Sequence, residues 1–309
     1  MKTSSQKTVV VIMGPTAVGK SAVAIEIAGH FQTEIISADS RQCFKEFNIG
    51  VARPTDKELH EVTHHFIATH SIHEEVNAAN FEQYALKKTT ELFQKHNVVI
   101  MAGGTGLYIK AFCEGLDEIP ATDPAIRKKI TNGYKEHGLA WLQKEIQQRD
   151  PEFYKIGEIQ NPQRMMRALE VVESTGESIL FFRKSKKVKR SFNIIKIGLE
   201  LPKEELHRNI NARVDKMMEI GLLDEVKKLL PYKNLNALQT VGYTELFYYL
   251  DSKFSLDEAI ELIKQNTRQY AKRQMTWFKK DSEITWFAPG QADSMIEFIE
   301  RRNLSGNFL

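Results

Sequence analysis

The sequence predicts an α/β fold: a parallel sheet wound with helices, with a small helical domain inserted into it. Three observations carry that prediction. Short apolar runs that read as buried strands, Val9–Met13, Glu34–Ser37 and Val98–Ala102, alternate with helical segments. A fourth run, Ile194–Leu201, and a fifth, Ile284–Phe287, return only after a long stretch without strand signal. That stretch is punctuated by Asp123-Pro124, Asp150-Pro151 and Asn161-Pro162, each a capping side chain before a proline at the first helical position. The predicted division is a core of residues 1–116 and 191–309 and an insertion domain of residues 117–190.

The first strand leads into Gly14-Pro15-Thr16-Ala17-Val18-Gly19-Lys20-Ser21, which fills every fixed position of the phosphate-binding loop G-x-x-x-x-G-K-[ST]. Ala22–Ala28 then reads as a helix ending near Gly29. Strand, loop and helix together predict a P-loop NTPase-like core. Backbone N–H groups converge on an anion, the helix adds its positive end, Lys20 brings a point charge and Ser21 offers a hydroxyl to a divalent ion. The ligand is a di- or triphosphate.

After the second strand comes Ala38-Asp39-Ser40-Arg41-Gln42. Asp39 falls at the carboxyl edge of the sheet, where ligands of such folds bind. An Asp there suits catalysis, metal orientation or the capping of its own turn. The third strand ends in Gly103-Gly104-Thr105-Gly106 rather than in the carboxylate of a typical P-loop ATPase. On its own that segment reads as a tight turn before a helix at Leu107–Phe112. His60-Glu61-Val62-Thr63-His64 has zinc-motif spacing, with His70 beyond it. Ile67 stands where the longer motif needs Gly, and His65–Ala68 reads as a short strand, so these histidines are assigned to a connecting segment.

With 309 residues, 42% apolar and 27% charged, the chain has globular composition and no apolar stretch long enough for a membrane span. Two cysteines without metal-type pairing point to a reducing cytoplasm, and the leading apolar run is too short for a signal peptide. The net charge of +3 is uneven: residues 121–190 hold 15 Lys+Arg against 9 Asp+Glu, and the rest 28 against 31. A basic segment on a mildly acidic body suggests a polyanionic partner larger than a nucleotide. Within it, Gln163, Arg164 and Arg167 open a helix that runs to about Thr175, with Gly176 as its stop. Met165, Leu169 and Val172 form that helix's apolar stripe. Phe181-Phe182 precedes a run in which six of eight residues, 183–190, are basic, a fair RNA footprint beside aromatics. Tyr270, Trp277 and Phe278, interleaved with Lys264, Arg268, Lys272 and Arg273, read as core.

Taken together the motifs resemble the tRNA dimethylallyltransferases, or tRNA isopentenyltransferases, of bacterial type. The matching pieces run in family order over nearly the whole chain: Gly14–Ser21, Asp39–Gln42, Gly103–Tyr108, Gln163–Glu170, Arg213-Val214-Asp215 with Met217 and Gly221-Leu222, Thr240–Tyr243, and Arg273-Gln274 with Thr276-Trp277. One departure is visible: Gly50-Val51-Ala52-Arg53-Pro54 stands where the family commonly reads Gly-Thr-Ala-Lys-Pro.

The resemblance implies transfer of the dimethylallyl group from dimethylallyl diphosphate to N6 of the adenosine immediately 3′ of the anticodon, in tRNAs reading codons that begin with U. It implies diphosphate binding by Gly14, Thr16, Ala17, Val18, Gly19, Lys20 and Ser21, with Mg2+ near Ser21 and Arg213 as a second clamp. Asp39 would be the base and Thr105 would bond near the bridging oxygen. Ser40, Arg41 and Gln42 would meet the flipped-out base. Arg127, Gln163, Arg164, Met165, Met166 and Arg167 would meet the tRNA anticodon stem-loop. A cytoplasmic monomer is expected. An enzyme that prenylates free adenine nucleotides, a small-molecule kinase and a non-catalytic RNA-binding protein remain alternatives on the residues alone.

Overall fold

The computed structural model describes residues 7–184 and 187–305, and the backbone alone at 304 and 305. The strands are β1 (Thr8–Met13), β2 (Ile35–Ser37), β3 (His64–His65), β4 (Val98–Gly103), β5 (Asn193–Leu199) and β6 (Thr285–Phe287). The helices are α1 (Lys20–His30), α2 (Asp56–Glu61), α3 (Ala78–Leu92), α4 (Gly106–Glu114), α5 (Pro124–Arg149), α6 (Pro151–Ile156) and α7 (Pro162–Thr175). They continue with α8 (Ile179–Phe182), α9 (Lys203–Glu219), α10 (Leu222–Leu229), α11 (Tyr243–Leu250), α12 (Leu256–Phe278) and α13 (Ala292–Ser305). Two compact units result: the described residues of Met1–Cys113 with Lys189–Leu309, and those of Glu114–Val188.

The first unit is built on one parallel sheet in the order β3-β2-β4-β1-β5-β6. β1 lies between β4 and β5 and is buried along its whole length, which is why it reads as an unbroken apolar run. Val10 and Ile12 pack with Val23, Ile27 and Ala28 of α1, Ile210 of α9, and Met295 and Ile299 of α13. The register decides what the strands deliver. Met13 pairs with Gly103 and Ser37 with Ala102, so β1, β2 and β4 end at one level. The segments that follow them, Gly14–Gly19, Ala38–Gln42 and Gly104-Thr105, therefore converge on one edge of the sheet. Among the described residues no helix is long and apolar enough to cross a membrane.

Two strand expectations shift. β3 holds only His64 and His65, because Phe66 and Ala68 take φ of 64° and 49°, which a strand cannot continue through. β5 stops at Leu199, two residues before the expected end, as the chain turns into Pro202 at the head of α9.

The second unit is helical. Asp123, Asp150 and Asn161 each cap their helix, accepting from the backbone N–H of Ala125, Phe153 and Arg164. α5 is broken at Gly138 (φ 73°), and α7 ends at Gly176 (φ 78°). The core holds Ile130, Leu142, Ile146, Phe153, Leu169 and Ile179 together with Met165 and Met166. Met165 is buried, as its place on the apolar stripe predicts, and so is Met166, at odds with the RNA contact that the resemblance implies for both side chains. Two side chains read as core are exposed, Tyr270 at 37% and Trp277 at 38%, whereas Phe278 is buried.

Candidate active site

The phosphate loop has the strain its task requires. Gly19 takes φ of 101°, open to glycine at little cost, and Ala17 takes 63°, which a side chain adopts at a cost of about 1 kcal/mol or more. These turns fold the loop back over β1. Lys20, the first residue of α1, donates its ammonium to Pro15 O at 2.7 Å. Burial, reinforced by the Arg213 guanidinium and opposed by Asp39, pulls that ammonium down to about 7.

Arg213 reaches the loop from α9. Its Nη1 lies 3.3 Å from Thr16 Oγ1, to which it donates. Burial lowers its proton affinity from the ordinary arginine value, again with Asp39 opposing. The Thr16 N–H donates to Gln274 Oε1 at 2.9 Å, and Gln274 Nε2 donates to Gly104 O at 2.8 Å. The buried Gln274 of α12 therefore ties the phosphate loop to the loop after β4. No local pattern announces that role, because its partners lie 258 and 170 residues away.

Asp39 caps its own turn: Oδ1 accepts from the N–H of Arg41 at 2.8 Å and of Gln42 at 3.2 Å. All the described hydrogen bonds to Asp39 fall on Oδ1. Thr105 is turned onto the same loop, its Oγ1 accepting from Ser40 N–H at 3.0 Å and donating to Ser40 Oγ at 3.3 Å. Thr105 thereby braces the Asp39–Gln42 loop. Gln42 lines the smaller chamber and holds the facing loop: its Oε1 accepts from Ser37 Oγ at 3.2 Å, and its Nε2 donates to Val51 O and Ala52 O at 3.2 and 2.9 Å.

Two adjoining cavities open on these groups. A chamber of about 170 Å³ is lined by Thr16, Ala17, Gly19, Lys20 and Ser21 together with Asp39, Gly103, Gly104 and Gln274. A second, of about 400 Å³, is lined by Ser40, Arg41 and Arg273 and by the apolar Ile210, Val214, Met217, Leu222, Val241 and Ile263. Thr16, Asp39, Val51, Arg213 and Tyr270 line both. The Tyr270 hydroxyl is pushed up to about 12 by burial and by Asp39. The smaller chamber is polar and cationic, the larger joins an apolar wall to a polar one that carries Arg41 and Arg273, and a carboxylate stands where the two chambers join. The zinc-spaced histidines do not form a helical pair, although His64 lines the smaller chamber. α2 ends before His64, His60 Nδ1 bonds Asp56 O, and His64 Nδ1 bonds Val62 O.

Residues 42–281 match the family described as IPP transferase. The chain belongs to the IPP transferase family. The tRNA dimethylallyltransferase of Christiangramia forsetii is 49% identical over 94% of this chain and 97% of its own length. Its counterpart from Bacteroides thetaiotaomicron, named tRNA dimethylallyltransferase 1, is 45% identical over 96% and 97%. Among solved structures, the tRNA isopentenylpyrophosphate transferase of Bacillus halodurans superposes with a TM-score of 0.72 at 32% identity, covering 97% of this chain and 98% of that one. A eukaryotic dimethylallyltransferase acting on tRNA superposes with a TM-score of 0.76 at 26% identity, over 92% and 74%.

This member of the IPP transferase family carries its other predicted cations in the insertion unit. There Arg127 and Arg167 both pair with Glu170, a carboxylate only 5% exposed, and Arg167 Nη1 also donates to Thr122 Oγ1 at 3.0 Å. Arg164 pairs with Glu158, and Gln163 and Arg164 are exposed at the start of α7. In the basic run, Lys184 lies 5.8 Å from the Phe181 ring centroid, Arg183 6.0 Å from that of Phe153, and Lys187 pairs with Glu114. Lys186 lies outside the described residues. Arg190, by contrast, is a structural residue of the first unit, donating to Phe112 O, Ala111 O and Glu82.

Proposed function

We propose that the chain transfers a dimethylallyl group from dimethylallyl diphosphate to N6 of an adenosine in tRNA, the one immediately 3′ of the anticodon in tRNAs reading codons that begin with U. The observation that carries this reading is the position of Asp39, lining both the cationic chamber of the phosphate loop and the apolar-walled chamber beside it. A diphosphate on the loop amides, Lys20 and Arg213 would point its five-carbon chain toward the apolar wall. The family membership supports the same chemistry.

In the transfer, the N6 electron pair forms a bond to the allylic carbon as the carbon–oxygen bond breaks, and the bonding pair leaves with diphosphate. Negative charge then grows on the leaving group, where Lys20, Arg213 and free loop N–H groups would stabilise it. The exocyclic amine is a weak nucleophile until its proton is accepted. Asp39 takes that proton on its carboxylate, held in place through Oδ1 by its own turn. The apolar wall keeps water from the developing allylic cation. A paired base could not reach so enclosed a site, so the adenosine enters flipped out.

The residues present also fit Mg2+. Ser21 brings a hydroxyl oxygen to the chamber, and a hard ion that keeps several waters would take its other ligands from substrate phosphates. When bound, it would add charge neutralisation on the leaving diphosphate.

The test is a transfer assay with radiolabelled dimethylallyl diphosphate, magnesium, and either an unmodified anticodon stem-loop with three adjacent adenosines or AMP. Label in the stem-loop alone supports the reading. Label in AMP alone, or in neither, overturns it.

A further inference from the structure

Glu225 of α10 lines neither chamber, yet it holds together three segments that line the larger one. Its Oε2 accepts from the N–H of Ile49 at 2.8 Å, and its Oε1 accepts from the N–H of Gly50 at 3.0 Å and from the hydroxyl of Tyr243 at 2.6 Å. Gly50 and Val51 belong to the chamber wall, as do Leu222 at the head of α10 and Thr240–Gly242 just before Tyr243. The contact is close-fitting. Tyr243 is fully buried, its ring lies 4.7 Å from that of Phe47, and a Cβ on Gly50 would fall 2.6 Å from it. From its other side the same loop is held by Gln42 on Val51 O and Ala52 O.

Three donors converge on two oxygens, which suits a carboxylate and not an amide: a glutamine would offer one acceptor oxygen and set its NH2 against an N–H or O–H. We propose that Glu225 is a positioning residue for prenyl transfer, fixing the Ile49–Val51 wall against α10 and α11 so that the allylic chain is held beside Asp39. The inference rests on the function proposed above. It assigns Glu225 to the chain and not to the diphosphate, because the phosphate loop is tied elsewhere, through Gln274 and Arg213.

The experiment compares wild-type protein with Glu225→Ala, Glu225→Gln and Tyr243→Phe. It measures the KM for dimethylallyl diphosphate, kcat, the Kd for inorganic diphosphate and the melting temperature. Glu225→Ala and Glu225→Gln are expected to raise the KM about tenfold, the size expected from losing charge-assisted hydrogen bonds. Their Kd for inorganic diphosphate should stay within about twofold of wild type. Tyr243→Phe keeps the ring, the carboxylate and both backbone bonds, so its KM should rise less than about threefold. If Glu225→Ala does not fold, Glu225→Gln decides. An unchanged KM in a folded Glu225 variant overturns the inference, as does a parallel loss of inorganic diphosphate binding, which would mark a general disturbance. A wild-type protein that transfers nothing overturns the proposed function and this inference with it. A wild-type protein that transfers, matched by Glu225→Ala, overturns this inference alone.

Discussion

The cations of the two units are held in opposite ways. In the first unit Lys20 rests on a carbonyl and Arg213 on a hydroxyl, both substantially desolvated, with Asp39 within electrostatic reach of each. In the insertion unit Arg127, Arg164 and Arg167 each rest on a carboxylate, Glu170 or Glu158. The first arrangement is preorganised: neither cation is bonded to a carboxylate, and the protein bears the desolvation in advance. The second is exchangeable at Arg164, whose pair with Glu158 is exposed on both sides and contributes about 0–1 kcal/mol, whereas the buried Glu170 depends on Arg127 and Arg167 to offset its charge. On the function proposed above, the cleft would take the small anion and the insertion unit the large one.

The sharpest way to test this contrast is to remove the carboxylate from the cleft. Asp39→Ala should lower kcat by about 10²–10⁴-fold while dimethylallyl diphosphate still binds, as single-turnover and equilibrium binding measurements would show. A near-wild-type rate would remove Asp39 as the base. Next in size is Arg213→Lys, which keeps charge but loses the planar fork. It should weaken transition-state stabilisation by about tenfold or more in kcat/KM. Equal activity would mean that Arg213 acts only as a point charge.

The pH dependence of diphosphate binding follows from Lys20. In the empty loop its ammonium loses its proton near 7, and a bound phosphate holds the proton on. Binding therefore takes up a proton above pH 7, and affinity should fall as pH rises from 7 toward the ordinary lysine range, by up to about tenfold per pH unit. Calorimetry in buffers of different ionisation enthalpy would count that proton, and Lys20→Met should abolish the uptake. The smallest effect belongs to the surface. Arg167→Ala should flatten the log–log salt slope of RNA binding by about 0.7–0.9 and leave dimethylallyl diphosphate untouched. An unchanged slope would mean that Arg167 only buttresses Glu170.

Much of the site was legible because its bonds are local. The phosphate loop, the Asp39 turn and the caps at Asp123, Asp150 and Asn161 each close within a few residues, so residue type and spacing suffice. What escaped was of two kinds. Met165 and Met166 sit inside a motif beside two arginines, and motif membership does not separate a contact residue from the core that presents it. Gln42 and Thr105 also bond protein groups across the loop, contacts that residue type and spacing do not give. Tyr270 reads as core by residue type but lines both chambers, because the sheet edge leaves that face of α12 open.

By itself, the sequence determined an alternating α/β order, a phosphate-binding loop after the first strand, a helical insertion with its start signals, and the carboxylate at the second strand's end. The tertiary structure alone decided the company those groups keep. The order β3-β2-β4-β1-β5-β6 brings Gln274 to Thr16 across 258 residues and Glu225 to Ile49 across 176, and it seats Arg213 over the phosphate loop. Local bonds are set by the chain's own covalent geometry. Partners so far apart meet only once burial of the sheet's two faces has fixed where every strand and helix ends.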